Sequence, residues 1–196
     1  MPVWQWIVIA VLILVVLAVL ILALSMTGRR KSKGLQERFG PEYQRTVSET
    51  GDTRKAEKRL IRREHERAKL DITPLSAEAA RAYAQRWRGV QTAFVDTPAQ
   101  AVGDADRLVT EVMSARGYPV DDFEKRSADI SVDHPTVVEN YRAGHAIHLA
   151  AEYGDVGTEA QRQALVHYRA LFEKLLDEGA DQHTPQHTST HREANS

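Results

Sequence analysis

The hydrophobic pattern changes character three times along the chain. Residues 7–24 (IVIAVLILVVLAVLILAL) are apolar without a break, and the wider stretch 3–26 contains 24 residues with no charge. A helix of that length rises roughly 36 Å, enough for a hydrocarbon core of about 30 Å. Trp4 and Trp6 stand at its start, where amphipathic rings suit the headgroup level. The pattern therefore predicts a transmembrane anchor over 1–26. Between 27 and 75 apolar positions become sparse, with Gly40-Pro41 and Gly51-Asp52 as punctuation. Asp52 is positioned to cap a helix running to about Leu70 whose apolar residues are only Ala56, Leu60, Ile61, Ala68 and Leu70. This region is expected to be a basic, solvated helical stalk.

From Ser76 onward the apolar positions recur with helical period. Ser76 heads a stripe of Ala80, Tyr83, Ala84, Trp87, Val90 and Phe94. Thr97-Pro98-Ala99-Gln100 has the form of a capping box and opens a helix carrying Ala101, Val102, Ala105, Leu108, Val109, Val112 and Met113 up to Gly117. Tyr118-Pro119-Val120 breaks the pattern, and Asp121 or Asp122 heads a short helix presenting Phe123 and Ile130. Asp133-His134-Pro135 is expected to start the next helix, which ends at Gly154 and Gly157. Thr158 with Gln161 suggests a second capping box, before the stripe Leu165, Tyr168, Leu171, Phe172, Leu175, Leu176. No segment alternates with period two. The expectation is all-α: a transmembrane anchor (1–26), a juxtamembrane stalk (27–75), a small helical bundle (76–178) and a disordered polar tail (179–196).

Charge adds orientation. The formal net charge is only −1, yet residues 27–70 carry 14 Lys and Arg against 7 Asp and Glu, whereas 71–196 carry 12 against 20. A basic arm thus precedes an acidic body. No Lys or Arg precedes the apolar run, and the run exceeds the length of a signal-peptide core. Arg29, Arg30, Lys31 and Lys33 follow it at once, so the positive-inside bias puts the N-terminus outside and the rest in the cytoplasm at the plasma membrane, with an exported body as the alternative. Those four residues are the expected contacts for anionic lipid. Nucleic acid is not expected as a partner, because Glu57, Glu64 and Glu66 interrupt the basic helix and it has no aromatic to stack bases.

Candidate chemistry is sparse. The chain has no cysteine, which excludes disulfides, thiolate nucleophiles and iron–sulfur clusters. There is no GxSxG, no phosphate-cradling glycine loop and no dinucleotide fingerprint. The one constellation of note is in ENYRAGHAIHLAAE (139–152), where His145, His148 and Glu152 would share a helix face and offer three metal ligands. At 100° per residue they fall in the same arc, roughly 100° wide, as Val138, Tyr141 and Leu149. They are therefore first a core-facing set and only then metal candidates. His183, His187 and His191 recur every four residues in the tail, where Pro185 and the Ser/Thr content oppose a helix. The acidic pairs Asp104/Asp106 and Asp121/Asp122 are read as caps and solvated faces.

The segments RFGPEYQRTV (38–47), LDITPLS (70–76), FVDTPAQAVGDADRLVTEVMSARGYPV (94–120), SVDHPTVVENYRAGHAI (131–147) and LVHYRALFEKLL (165–176) together resemble a group of uncharacterised bacterial single-pass membrane or secreted proteins without assigned activity. The resemblance implies a bacterial envelope protein and assigns no functional residue. The combined expectation is a non-enzymatic, membrane-tethered helical interaction module. It has no catalytic residue or cofactor, contacts the bilayer and an unidentified protein partner, and has no assigned oligomeric state. A metal sensor or metal-dependent enzyme built on His145, His148 and Glu152 is the alternative.

Overall fold

The computed structural model describes residues 4, 12–14, 16, 17, 32–154 and 156–177, and no strand occurs among them. Most of the predicted anchor lies outside the described residues, as do Arg29, Arg30, Lys31 and the tail with its three histidines. Among the described residues no helix is long and apolar enough to cross a membrane. Those of the apolar run that are described are helical. The chain divides into two compact units, 1–64 and 65–196.

In the first unit, α1 (32–39) is followed by α2 (Pro41–Thr50) and α3 (Thr53–Arg67), near whose end the unit boundary falls. Helix α2 was not apparent from the hydrophobic pattern, although its punctuation was. Pro41 sits at its first turn, and Gly51 closes it in the left-handed conformation at φ 64°, donating its N–H to Val47 O. Asp52 caps α3 as expected, its Oδ1 accepting the amides of Arg54 and Lys55 at 2.8 and 3.0 Å. The region is more than a solvated stalk, because Leu35, Phe39, Tyr43, Ala56 and Leu60 are buried. With them lies an internal ion pair, Arg63 Nη1 to Glu42 Oε1 at 2.6 Å. Apolar counting misses such an interior, since Glu42 and Arg63 read as surface residues until each supplies the other's counter-charge.

The second unit holds α4 (Ala77–Ala93), α5 (Pro98–Ala115), α6 (Phe123–Asp133), α7 (Val138–Glu152) and α8 (Thr158–Asp177). Helix α5 is the hub, packing against α4, α7 and α8, while α6 packs on α7 and α7 on α8. Its buried positions include Val102, Ala105, Leu108, Val109, Val112 and Met113, the stripe read from sequence. Tyr168, Leu171, Phe172 and Leu175 of α8 and Trp87 of α4 close on it, with Trp87 stacked on Phe172 at 4.7 Å between ring centroids. Ser76 caps α4 through Ala79 N at 3.1 Å and Asp122 caps α6 through Lys125 N at 2.7 Å, both as expected.

Three expected caps are not formed. The Thr97 hydroxyl turns back to Ala93 O at 3.1 Å, so no box closes at the start of α5. Thr158 is already inside α8, and the Gln161 amide donates to Val156 O at 3.3 Å instead. Asp133 does not start α7 but ends α6, with His134 as the following C-cap residue, and α7 begins after Val137 with no side-chain cap. The Asp133 carboxylate is diverted to tertiary partners. Arg67 Nε and the Tyr118 hydroxyl both donate to its Oδ2 at 2.5 Å, and Arg67 and Arg116 lie over the Tyr118 ring. Burial, then the hydrogen bond and charge of Asp133, push the Tyr118 phenol far up, so it stays a donor.

Gly117 closes α5 at φ +98°, and a Cβ there would stand 2.4 Å from the backbone oxygen of Asp71. The same corner is tied by Thr73 N to Arg116 O at 2.9 Å and by Arg116 Nη1 to Leu175 O at 3.1 Å. Gly117→Ala is expected to lower stability by at least about 2 kcal/mol, combining a left-handed conformation with a backbone clash. Thermal unfolding followed by circular dichroism measures this; an unchanged melting temperature would contradict the assigned turn.

Candidate functional site

The sequence singled out α7, and its surroundings contain the richest side-chain chemistry of the second unit. Val138, Tyr141 and Gly144 form its buried edge. Leu149, expected to share that edge, is instead 43% exposed. The buried line runs through the glycine rather than through the larger residue. At Gly144 a Cβ would lie 3.2 Å from the Tyr168 ring, and at Gly103 of α5 one would lie 3.4 Å from His148 Cε1. Two small residues thus let α8 and α5 approach α7 closely.

That approach assembles a polar network around Asp106. The Tyr168 hydroxyl donates to Asp106 Oδ1 at 2.8 Å, and His145 Nδ1 stands 3.3 Å from the same oxygen. Phe123 covers the other side of His145, the two rings stacked at 3.8 Å and 11°. Arg126 of α6 donates to the Tyr141 hydroxyl at 3.1 Å and to Val120 O at 3.0 Å. Thr110 donates to Asp106 O at 2.9 Å.

Burial alone would push the Asp106 carboxyl up. Hydrogen bonds from His145 and Tyr168, with the charges of His145 and His148, outweigh it and hold the carboxyl below its ordinary 3.8. Tyr168 and Tyr141 move the other way, chiefly through burial, with Asp106 adding to the rise. Both phenols therefore remain protonated at neutral pH. The network offers a firmly ionised acceptor surrounded by committed donors. That is the chemistry of a lock between helices rather than of a nucleophile awaiting its base.

The predicted trio is separated by this arrangement. His145 turns to Asp106, whereas His148 Nε2 faces Glu152 Oε1 at 3.8 Å and Glu152 is largely exposed. Among the described residues no group of three or more His, Asp or Glu side chains is arranged to hold a metal ion. His167 pairs through Nδ1 with Asn140 Oδ1 at 3.2 Å. Lys33, the one described member of the lipid-contact set, is exposed on α1. Asp106 is the residue the sequence reading passed over as a solvated cap. Its position one turn from both Val102 and Val109 already set it on the buried stripe, while its neighbour Asp104 is the surface residue, paired with Arg107.

Two shallow clefts flank α5. One, of about 290 Å³, is lined by Arg86, Val90, Arg107 and Glu111 among others; the second, of about 220 Å³, by Gln100, Gly103, Arg107 and His148 among others. Their charged walls are already paired, Arg86 with Glu111 at 2.5 Å and Arg107 with Asp104. A contrasting group lies on α6. Asp129 is only 4% exposed and its Oδ2 has no hydrogen-bond partner, so burial raises its pKa, aided by Glu66 and Asp133 and opposed by Lys125 and Arg67.

The two aspartates predict opposite pH behaviour. Asp106, lowered in the folded chain, contributes stability that is complete above its ordinary 3.8 and lost as pH falls through the lowered value. Asp106→Asn is expected to cost about 2 kcal/mol at pH 7, a deficit that closes in strong acid. Asp129, raised in the folded chain, destabilises it once ionised, so its penalty is absent below 3.8 and complete above the raised value. Asp129→Asn is expected to raise the melting temperature by a few degrees at pH 7, equivalent to about 1 kcal/mol, with the gain vanishing in acid. Melting curves of the three chains across pH measure both slopes; parallel curves would refute the assignments.

Comparison of the chain with protein-family models, with curated proteins and with solved structures gave no match.

Proposed function

We propose that the chain is a non-enzymatic, membrane-tethered helical module: residues 1–26 span the plasma membrane with the N-terminus outside, Arg29, Arg30, Lys31 and Lys33 meet anionic headgroups, and the acidic bundle engages a protein partner in the cytoplasm. The observation that carries this reading is the exposure of the apolar run. Leu12, Ile13 and Leu14 are consecutive helical residues, so they point roughly 100° apart and sweep more than half of the helix surface. They are 62, 53 and 69% exposed, and Trp4, Val16 and Leu17 are also more than half exposed. In the second unit Val102, Leu108, Val109, Leu171 and Leu175 are instead buried in the core. Exposed apolar side chains on several sides of one helix need an apolar solvent, and a bilayer supplies one.

The non-enzymatic part rests on the network around Asp106, whose donors and acceptors are spent on each other. The resemblance to bacterial membrane proteins agrees with an envelope location. A reporter fused at the C-terminus tests the topology. The cytoplasmic signal is expected in the native chain and is expected to weaken or invert when Arg29, Arg30, Lys31 and Lys33 are all replaced by Glu. A cytoplasmic signal unchanged by that replacement would contradict the orienting role of the four residues. A native chain reporting from outside would move the body to the exported side.

A further inference from the structure

Helix α3 reads TRKAEKRLIRREHER, a mixture of basic and acidic residues with no evident polarity. Folding sorts them. Glu57 is drawn inward, accepting from the Tyr43 hydroxyl at 3.0 Å and the Ser32 hydroxyl at 2.5 Å. Glu64 takes Arg38 at 2.9 Å, and Ala56, Leu60 and Arg63 are buried. Arg54, Lys55, Lys58, Ile61 and Arg62 stay exposed. At 100° per residue these five share an arc roughly 120° wide that excludes Glu57 and Glu64, while the exposed Glu66 stands roughly 20° beyond its edge, one turn from Arg62. Asp52, at the head of the arc, directs its carboxylate to the amides of Arg54 and Lys55 as the helix cap. Arg59, roughly 40° outside the arc, reaches Glu49 at 3.5 Å. Ile61 presents 38% of its surface among the cations.

We propose that this face of α3 docks on the headgroups of an anionic bilayer leaflet, extending the contact begun by Arg29, Arg30, Lys31 and Lys33. The inference rests on the tether reading, because the anchor is what holds α3 within reach of a leaflet. Charge complementarity gives the attraction, which acts within a Debye length of about 8 Å at physiological salt. Ile61 gives the apolar contact that a basic helix lays into the headgroup boundary. A nucleic-acid partner is less well matched, since α3 carries no Phe, Tyr or Trp to stack a base and His65 is the one ring on the face.

The chain contains no cysteine, so Ile61→Cys provides a single labelling site in the full-length protein. The labelled chain is reconstituted in vesicles of phosphatidylcholine alone or mixed with phosphatidylglycerol. Flotation reports the tether, and access of an aqueous quencher to the label reports the docked face. The expected result is flotation with both compositions and shielding only on the anionic one. The docked-to-free ratio should fall about fivefold for each charge removed in Arg54→Glu/Lys55→Glu/Lys58→Glu, and fall again in high salt. These side chains are exposed, so circular dichroism of the triple variant should match the parent. Equal access on both compositions, or shielding unchanged by the triple variant, overturns the docking proposal while flotation leaves the tether standing. Failure to float with either composition removes both. A short single-stranded RNA retained by the detergent-solubilised parent but not by the triple variant, with the label open on anionic vesicles, assigns the face to nucleic acid instead.

Discussion

At Gly144 the Tyr168 ring lies so close to the α7 backbone that a Cβ would stand 3.2 Å away. That contact carries the Tyr168 hydroxyl past α7 to Asp106 on α5, joining three helices through one oxygen. The acidic body is organised around this approach. With α7 held at this distance, His145 reaches Asp106, Phe123 closes over His145, and Arg126 engages Tyr141. A bulkier residue at 144 would have to push Tyr168 aside, and a donor would leave a buried carboxylate. Apolar packing along α5 supplies most of the cohesion, but it is non-directional. The polar network is what fixes the rotation of α7 and α8 about their axes.

The same unit contains a charge that folding does not reward. Asp106 receives two donors and is held ionised, while Asp129 on α6 is buried with an oxygen left unpartnered. Helix α6 is also buried at Ser127, Ile130, Ser131 and Val132, positions spread round its circumference. Glu124 and Lys125 near the start of the helix are exposed, but from Ser127 on it is covered on several sides, and Asp129 lies in that covered part. Two aspartates of identical intrinsic chemistry therefore push stability in opposite directions, and the difference lies in their neighbours.

In the first unit the decisive event is the sorting of charge on α3. Two of the three acids that interrupt the basic helix in sequence, Glu57 and Glu64, are taken up by Tyr43, Ser32 and Arg38, while Glu66 near its end stays exposed. The surface that remains is more basic than the composition of the helix. This reverses the reasoning by which interspersed glutamates argue against contact with an anionic surface. It also ties the proposed membrane role to a folded element rather than to Arg29, Arg30, Lys31 and Lys33 alone.

Helical class, the order of the helices after Ser76 and the α5 and α8 stripes were legible in the residues, because a 3.6-residue period is a local property that each helix carries by itself. The Asp52, Ser76 and Asp122 caps were legible for the same reason: a cap acts within three residues. The Thr97, Asp133 and Thr158 caps were misread because each has a competing partner that local spacing does not reveal, Asp133 most clearly through Arg67 and Tyr118. The histidines of α7 were correctly set near the core, yet their separation was not readable. His145 turns to an aspartate 39 positions away and His148 stays beside Glu152. Local residue patterns establish the helical segments after Ser76, the place of the apolar run and the division of charge along the chain, though not α2. Which charges are neutralised internally and which face outward is set by the packing of the helices, because pairing depends on distances between them that no local period encodes.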